Sequence, residues 1–555
     1  RFCQAGMIYR PLRERTPRTV MKIARESIKN TGYDEVSLTS LSAGDYTQLL
    51  PLIKAFNREF SDKRISLSLP SLRVGAINRE ILREIKTVKK SGFTIAPEAA
   101  TDRLRGVINK DFREEEFERA LLMLFQEGWL NVKLYFMIGL PTETDKDIEA
   151  IANMAVRARK IARGITRKNV NITVSISPFV PKPHTPFQWT GQMDENILKE
   201  RIEFIRSNIP KAIKFKHHDI KMSIVEAALS RADRSMSKLI YDVWRKGAYL
   251  EGWADEFDDS CWIDAMDSTG IDIREYASRE FNLEEPLPWE FIDSGVKKDY
   301  LKKEFTLAVK GDYTGDCNKT ICHGCGLGCK SRQYLSDDNL SFIPDYKQQA
   351  TRFKPVKVRV EYSKMGKMRY LSHLELTGAI LRAFRRAEFP LCYTEGFHPM
   401  PKVSFGPPLS VGIAGEREYM DIEVYPPFDI KEFHKRINEE LPDGLKINKM
   451  SFFFKRLPSI SSFVSMYEYR VGIPETGVKL NLRNRNFSDF IEKFDIINKK
   501  LVIIQLKDLK DRKVKIKECM EGIFGLPMEL LSITRTALYG WKKGWVTPMD
   551  LVDMP

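Results

Sequence analysis

No stretch of this 555-residue chain approaches the ~20 consecutive apolar residues that a membrane-crossing helix needs. No apolar signal region opens it, which argues against a secreted precursor. A disulfide framework is lacking as well. Of eight cysteines, Cys317, Cys322, Cys325 and Cys329 crowd into one segment, while Cys3, Cys261, Cys392 and Cys519 are scattered. Without secretory signals, that distribution reads as metal binding in a reducing compartment, the cytoplasm, with no membrane partner.

What is present in excess is positive charge. Lys and Arg number 90 against 75 Asp and Glu, a net charge of +15. Such an excess favours a polyanionic partner such as RNA or the ribosome, although a solvated basic surface accounts for it equally well. The densest basic runs, "RAFRR" and "LKDLKDRKVKIK", fall in the last third.

At ~150 residues per domain the length implies three or four units. Over 1–235, short β-rich runs alternate with helical patterns. The runs are "DEVSLTSLS", "RISLSLPSL", "SGFTIAPEA", "NVKLYFMIGLP" and "NVNITVSISPF". Alternation of this kind predicts an α/β fold with a parallel sheet, here a partial TIM-like β/α barrel. Ligands of such folds sit at the carboxyl ends of the strands. There the sequence reads "SLSAGD", "IAPEAATDRLR", "MIGLPTETD" and "SPFVPKPHTPFQW".

Residues 236–345 read as a helical extension ending in the cysteine segment, and "PDYKQQATRFKPV" as a linker. Residues 355–555 then read as an α+β domain in βαββαβ order. A second such order follows, with a helix at "NFSDFIEKFDIINKK", a strand at "RKVKIKECM" and a last helix near "PMELLSITRTALYG". Two ferredoxin-like halves fit that order.

"CNKTICHGCGLGC" places four thiols in a C-x4-C-x2-C-x3-C pattern. Structural zinc usually uses two ligand pairs with a long spacer between them. Short consecutive spacings are more like ferredoxin cluster loops, so an iron–sulfur cluster is preferred and zinc stays open. Glycines 324, 326 and 328 let the backbone wrap one centre, and His323 is a spare donor.

Arg1-Phe2-Cys3, followed by this series of βα units, resembles the radical S-adenosylmethionine (radical SAM) superfamily. That family carries three cysteines, spaced C-x3-C-x-aromatic-C, after the first barrel strand. "SLSAGDY", "APEAATDRLRGVINK", "FMIGLPTETDKDI" and "PKPHTPFQW" are similar to an uncharacterised branch of it. In that branch a cobalamin-binding-like domain precedes the barrel, and a companion domain is fused or encoded nearby. Only the last of the three cysteines is matched, by Cys3, so the chain is expected to be an amino-terminally truncated copy that does not cleave SAM by itself.

The resemblance implies a 4Fe-4S cluster with one iron left free for S-adenosylmethionine, cobalamin in the full-length protein, and an electron donor such as flavodoxin or ferredoxin. It places Phe2 beside the adenine. Ser40, Leu41 and Ser42, standing where the family has Gly-Gly-Glu, come at the methionyl ammonium. Glu98 meets the ribose hydroxyls, Arg105 the methionyl carboxylate, and Ile138 and Gly139 the adenine. His184 is a candidate proton donor, although a loop histidine held by backbone is the plainer reading. In the last domain "RYLSHLE" and "TEGFHPMPKVSFGPPLSVG" look like the companion domain. There His373 and His398 read as structural, and Arg382, Arg385 and Arg386 as equally fit for phosphates or solvent. The implied function is a radical SAM enzyme modifying a macromolecule such as RNA. Two readings stand beside it: a non-catalytic iron–sulfur protein bound to RNA or the ribosome, and a radical SAM enzyme for small molecules.

Overall fold

The computed structural model describes residues 1–40, 42–69, 72–87, 92–317, 320–329, 353–395, 399–427, 429–474, 480–481, 487–509 and 512–554. Leu41, His398 and most of the expected linker lie outside the described residues. The chain divides into two compact units, one formed by 1–21 and 37–345, the other by 22–36 and 346–555. The barrel region and its helical extension, separate in the sequence reading, thus share one unit.

Four parallel strands form the centre of the first unit, adjacent in chain order: β1 (Phe93–Glu98), β2 (Asn131–Ile138), β3 (Asn171–Pro178) and β4 (Lys214–His217). Neighbouring parallel strands require crossover connections. These are α1 (Asp102–Ile108) and α2 (Glu114–Gln126) after β1, α3 (Asp145–Ile165) after β2, and α4 (Glu195–Asn208) after β3. The helix starts are written locally. Thr144 and Asp147 form a capping box on α3, and the Asp194 carboxylate accepts from the Asn196 and Ile197 amides of α4.

Among the described residues the sheet has four strands, one fewer than the five runs read from the sequence. "DEVSLTSLS" and "RISLSLPSL" yield only the three-residue strands Glu35–Ser37 and Ser66–Ser68, which stand outside it. Their serine- and proline-rich composition offers few side chains that cover a sheet face. In β2, by contrast, Val132, Leu134, Phe136 and Ile138 alternate inward and are 0–1% exposed.

The extension closes on the sheet through α5 (Lys298–Lys310), whose Ala308 packs with Leu104, Val107 and Ile108 of α1. A Cβ on Gly106 would stand 2.2 Å from the Gly311 carbonyl oxygen, so only glycine allows this approach.

The second unit is built on one nine-stranded sheet. Its first half runs β5 (Val356–Lys364), α6 (His373–Arg386), β6 (Val403–Phe405), β7 (Ala414–Val424), α7 (Ile430–Glu440) and β8 (Leu445–Phe453). The spatial order β8-β5-β7-β6, antiparallel throughout, is the ferredoxin-like arrangement that the sequence predicted.

The second half has β9 (Val464–Gly472), β10 (Ile491–Asn498), β11 (Leu501–Lys507), α8 (Ile516–Phe524) and β12 (Ser532–Trp541). Its order, β12-β9-β11-β10, repeats that of the first half, but three elements differ in type from the sequence reading. The expected helix at "NFSDFIEKFDIINKK" is the strand β10, which hairpins into β11 across Lys499 and Lys500. The expected strand at "RKVKIKECM" is α8, because Cys519, Met520, Ile523 and Phe524 recur at helical spacing and are buried together. The expected last helix is β12, whose Ile533 and Arg535 point to one face.

The halves meet at a single parallel pairing of β7 with β12, Thr534 opposite Ala414 and Arg535 opposite Gly415. At this seam Arg535 Nε lies 2.8 Å from Glu418 Oε1, both side chains almost fully buried, and Arg535 Nη2 donates to the Pro407 carbonyl. A buried pair broken on one side leaves an uncompensated charge. Glu418→Ala should therefore lower the stability of the second unit by about 3–5 kcal/mol in chemical denaturation of the whole chain. A loss below about 1 kcal/mol, the range of an exposed pair, would show that the seam does not depend on it.

Candidate functional site at the carboxyl edge of the parallel sheet

Three successive loops at the carboxyl ends of β1, β2 and β3 each hold a non-glycine residue at positive φ: Glu98 (65°), Thr142 (63°) and His184 (57°). Each costs of order 1–3 kcal/mol, and such residues concentrate at functional edges. Cys3 is brought to this edge by its neighbours. Phe2 packs with Ala99, Leu140, Phe179 and Phe187, the residues that follow the three strand ends. Gln4 Nε2 donates to the Pro183 carbonyl at 3.1 Å. Between them the Cys3 thiol is exposed.

After β1 lies a group of alternating charges. Glu98 closes β1 with its side chain 17% exposed, 3.7 Å from Lys110 Nζ. Burial pushes the Glu98 carboxyl up, and Lys110 pulls it back. Lys110 is lowered, again chiefly by burial, with Glu98 opposing, and it feels Arg73 and Asp45 as further neighbours. Arg73 Nη1 donates to Asp45 Oδ2 at 3.0 Å, and the Ser42 hydroxyl donates to the same oxygen at 2.7 Å. The Ser40 hydroxyl accepts from the Ser42 amide. Both serines thus form a local turn that positions Asp45. The sequence reading missed Asp45, Arg73 and Lys110. Lys110 follows α1, and Asp45 and Arg73 follow the two short strands outside the parallel sheet, so no strand end of that sheet marks them in the sequence.

Other expected contacts have protein partners. The Arg105 guanidinium, fully buried, donates to the carbonyls of Ala99, Ala100 and Phe112, pairs with Asp102 and stacks on the Phe112 ring. It holds the turn after β1 together, which corrects the expectation that it meets a ligand carboxylate. Ile138 is fully buried. The Gly139 amide donates to Glu143 at 2.8 Å, and a Cβ there would press on Leu198 and Met193 of the α4 side. The His184 amide donates to Gln188 Oε1, which also accepts from Trp289. Burial lowers the imidazole, and Asp293 opposes this.

Residues 1–155 match the profile of the radical SAM superfamily, and residues 357–539 that of a family described as "Uncharacterized protein conserved in bacteria (DUF2344)". The "Uncharacterized protein MJ0966" of Methanocaldococcus jannaschii is 34% identical over 241 residues, 43% of this chain and 51% of its own length. The chain therefore spans about half of that relative. The radical S-adenosylmethionine methyltransferase TsrM from Kitasatospora setae, solved with cobalamin and a 4Fe-4S cluster, aligns over 46% of this chain and 56% of its own. With 12% identity and a TM-score of 0.30, that likeness carries no argument.

Cys3 is the one cysteine within residues 1–155, so that stretch by itself offers one thiolate of the several that an iron–sulfur cluster needs. The second cysteine loop fits a soft metal centre by its donors. Cys317, Cys322 and Cys329 are exposed and Cys325 is half-buried. Gly324, Gly326 and Gly328 all take positive φ, as the wrapping role predicted. Among the described residues no three His, Cys, Asp or Glu side chains are gathered on one point. The His323 ring is already bonded to the Gly315 carbonyl at 2.9 Å.

In the companion domain, the His373 ring meets Phe405 edge-on at 5.3 Å, a packing role. Arg385 pairs with Asp34 at 3.0 Å and Arg386 with Glu440 at 2.7 Å, while Arg382 stacks on Tyr33. All three have protein partners within their own unit, which argues against a role on phosphates.

Sequence reasoning also missed Glu143, whose side chain is 0% exposed. It accepts from the Gly139 and Leu140 amides, pairs with Arg201 of α4, and so fixes the loop after β2. Burial pushes its carboxyl from 4.5 to about 7, against the Gly139 amide and Arg201. A raised folded-state value makes the contribution to stability full below pH 4.5 and lost as pH rises through about 7. The stability difference between wild type and Glu143→Gln should fall over that window by an amount on the order of 3 kcal/mol. A flat difference, read from denaturation midpoints, would mean that Arg201 keeps the carboxylate charged throughout.

Proposed function

We propose that this chain forms the cofactor- and substrate-presenting part of a radical SAM enzyme acting on a macromolecule such as RNA. The observation that supports the reading is the half-buried Glu98–Lys110 pair after β1, with Arg73 and Asp45 as further charges on Lys110, in a stretch that matches the radical SAM profile. S-adenosylmethionine has an adenosine, a cationic sulfonium and a zwitterionic amino acid. When bound to a reduced iron–sulfur cluster, it supplies a carbon-centred radical that abstracts hydrogen from substrate.

Each residue of the edge has a part in that reading. Glu98 accepts hydrogen bonds from the ribose diol, and Asp45 attracts the methionyl ammonium. Lys110 and Arg73 attract the methionyl carboxylate, a task that the buried Arg105 is not free to perform. Phe2 and Leu140 cover the apolar side of the site and keep water from it. Cys3 supplies one cluster thiolate. Cys317, Cys322, Cys325 and Cys329 hold a second centre, an iron–sulfur cluster in preference to zinc. The RNA part is supported by the net charge of +15 alone.

Calorimetric titration of the chain with S-adenosylmethionine tests the site without any cluster. Glu98→Gln should weaken binding by about tenfold, the loss of one charge-assisted hydrogen-bond acceptor. Equal affinity in wild type and variant, or no binding by wild type, would overturn the assignment. In full-length protein reconstituted with iron and sulfide, dithionite should release 5′-deoxyadenosine, and Cys3→Ala should abolish the release.

A further inference from the structure

The two cysteine loops are far apart in sequence, yet they are built on one another. Cys3 is followed by a one-turn helix, Ala5–Ile8, whose Met7 enters a core with Trp289, Tyr300 and Leu301. Cys325 and Leu327 of the second loop pack against that same core. One side chain links the parts by hydrogen bonds. Arg10 Nε donates to the Gly6 carbonyl at 3.0 Å, and Arg10 Nη1 donates to the Tyr300 hydroxyl at 2.9 Å. The same guanidinium lies against the Cys325 side chain.

Tyr300 begins α5, and the Lys297 amide just before that helix donates to the Cys325 carbonyl at 2.9 Å. The seat is tight. A Cβ on Gly326 would stand 2.6 Å from Lys297 Cγ, and one on Gly295 would stand 2.8 Å from Leu327. A continuous path of bonded groups thus runs from the Cys3 loop through Arg10 and Tyr300 to Cys325. Residues 1–3 are anchored on their own by Arg1, whereas residues 4–10 are reached from the far end of the path through Arg10.

We propose that Arg10 is a positioning residue that couples the two loops, so that metal loading of Cys317–Cys329 orders the segment carrying Cys3. This rests on the reading of Cys317–Cys329 as a metal loop. Drawing the four sulfurs together fixes the Cys325 backbone and side chain, and with them the guanidinium that grips Gly6. The second centre thereby adds order to residues 4–10, the segment that follows Cys3.

The test is amide hydrogen exchange of the whole chain, with and without one equivalent of zinc ion, which four clustered thiolates bind whichever metal they take natively. Zinc should slow exchange over residues 4–10 by at least about fivefold, and Cys3→Ser should not alter this. In Arg10→Met and Tyr300→Phe, the second a minimal change that spares the ring, zinc should still bind at one equivalent while the protection of 4–10 disappears. Zinc bound with no protection in wild type, or protection persisting in both variants, would overturn the coupling and leave the metal loop standing. Failure to bind zinc at all would overturn the metal loop and the coupling with it.

Discussion

The position of Cys3 depends on a buried ion pair two residues away. Arg1 Nε and Glu304 Oε2 are 2.9 Å apart, with side chains 1% and 3% exposed. The remaining Arg1 donors reach the Gly106 carbonyl and the Thr314 hydroxyl, and that hydroxyl donates in turn to Glu304. Burying two charges is tolerated when every group is paired in this way. The pair ties the first residues to α1 and to α5 of the extension together. Phe2 is thereby laid across the strand ends and Cys3 left facing outward.

The same edge shows how strain and order share a site. Glu98, Thr142 and His184 sit in left-handed backbone, and the first two of these loops are stiffened by an internal carboxylate or arginine. Arg105 braces the turn after β1, and Glu143 with Arg201 braces the turn after β2. These groups touch no ligand in the reading proposed here. They hold the backbone so that the neighbouring groups converge.

Most of the central architecture was legible in the sequence. The β2 and β3 runs are long, rich in β-branched residues and flanked by capped helices, so period and punctuation agree. The first two strand candidates gave only three-residue strands outside the parallel sheet, although Ile65, Leu67 and Leu72 of the second are buried. In the last domain, "FDIINKKLVIIQL" reads as helix or strand by local content, and only pairing with β9 decides it. At the site, Cys3 and Glu98 were singled out by their motifs, and their parts there belong to the proposal. Lys110, Arg73, Asp45 and Glu143 were not, since a charged loop residue looks solvated until the fold shows what it faces. Arg105 was misjudged for the converse reason. Its partners are backbone carbonyls, which leave no mark in a sequence.

The central claim is that Cys3 and the cofactor share one edge of the parallel sheet, and chemical reactivity tests it most directly. The rate of alkylation of Cys3 by iodoacetamide, read on its peptide by mass spectrometry, is measured with and without saturating S-adenosylmethionine. The account predicts a thiol that reacts readily in the free chain and is shielded several-fold by the cofactor, with the shielding lost in Glu98→Gln. A Cys3 that is inert from the outset, or one whose rate ignores the cofactor, would contradict it.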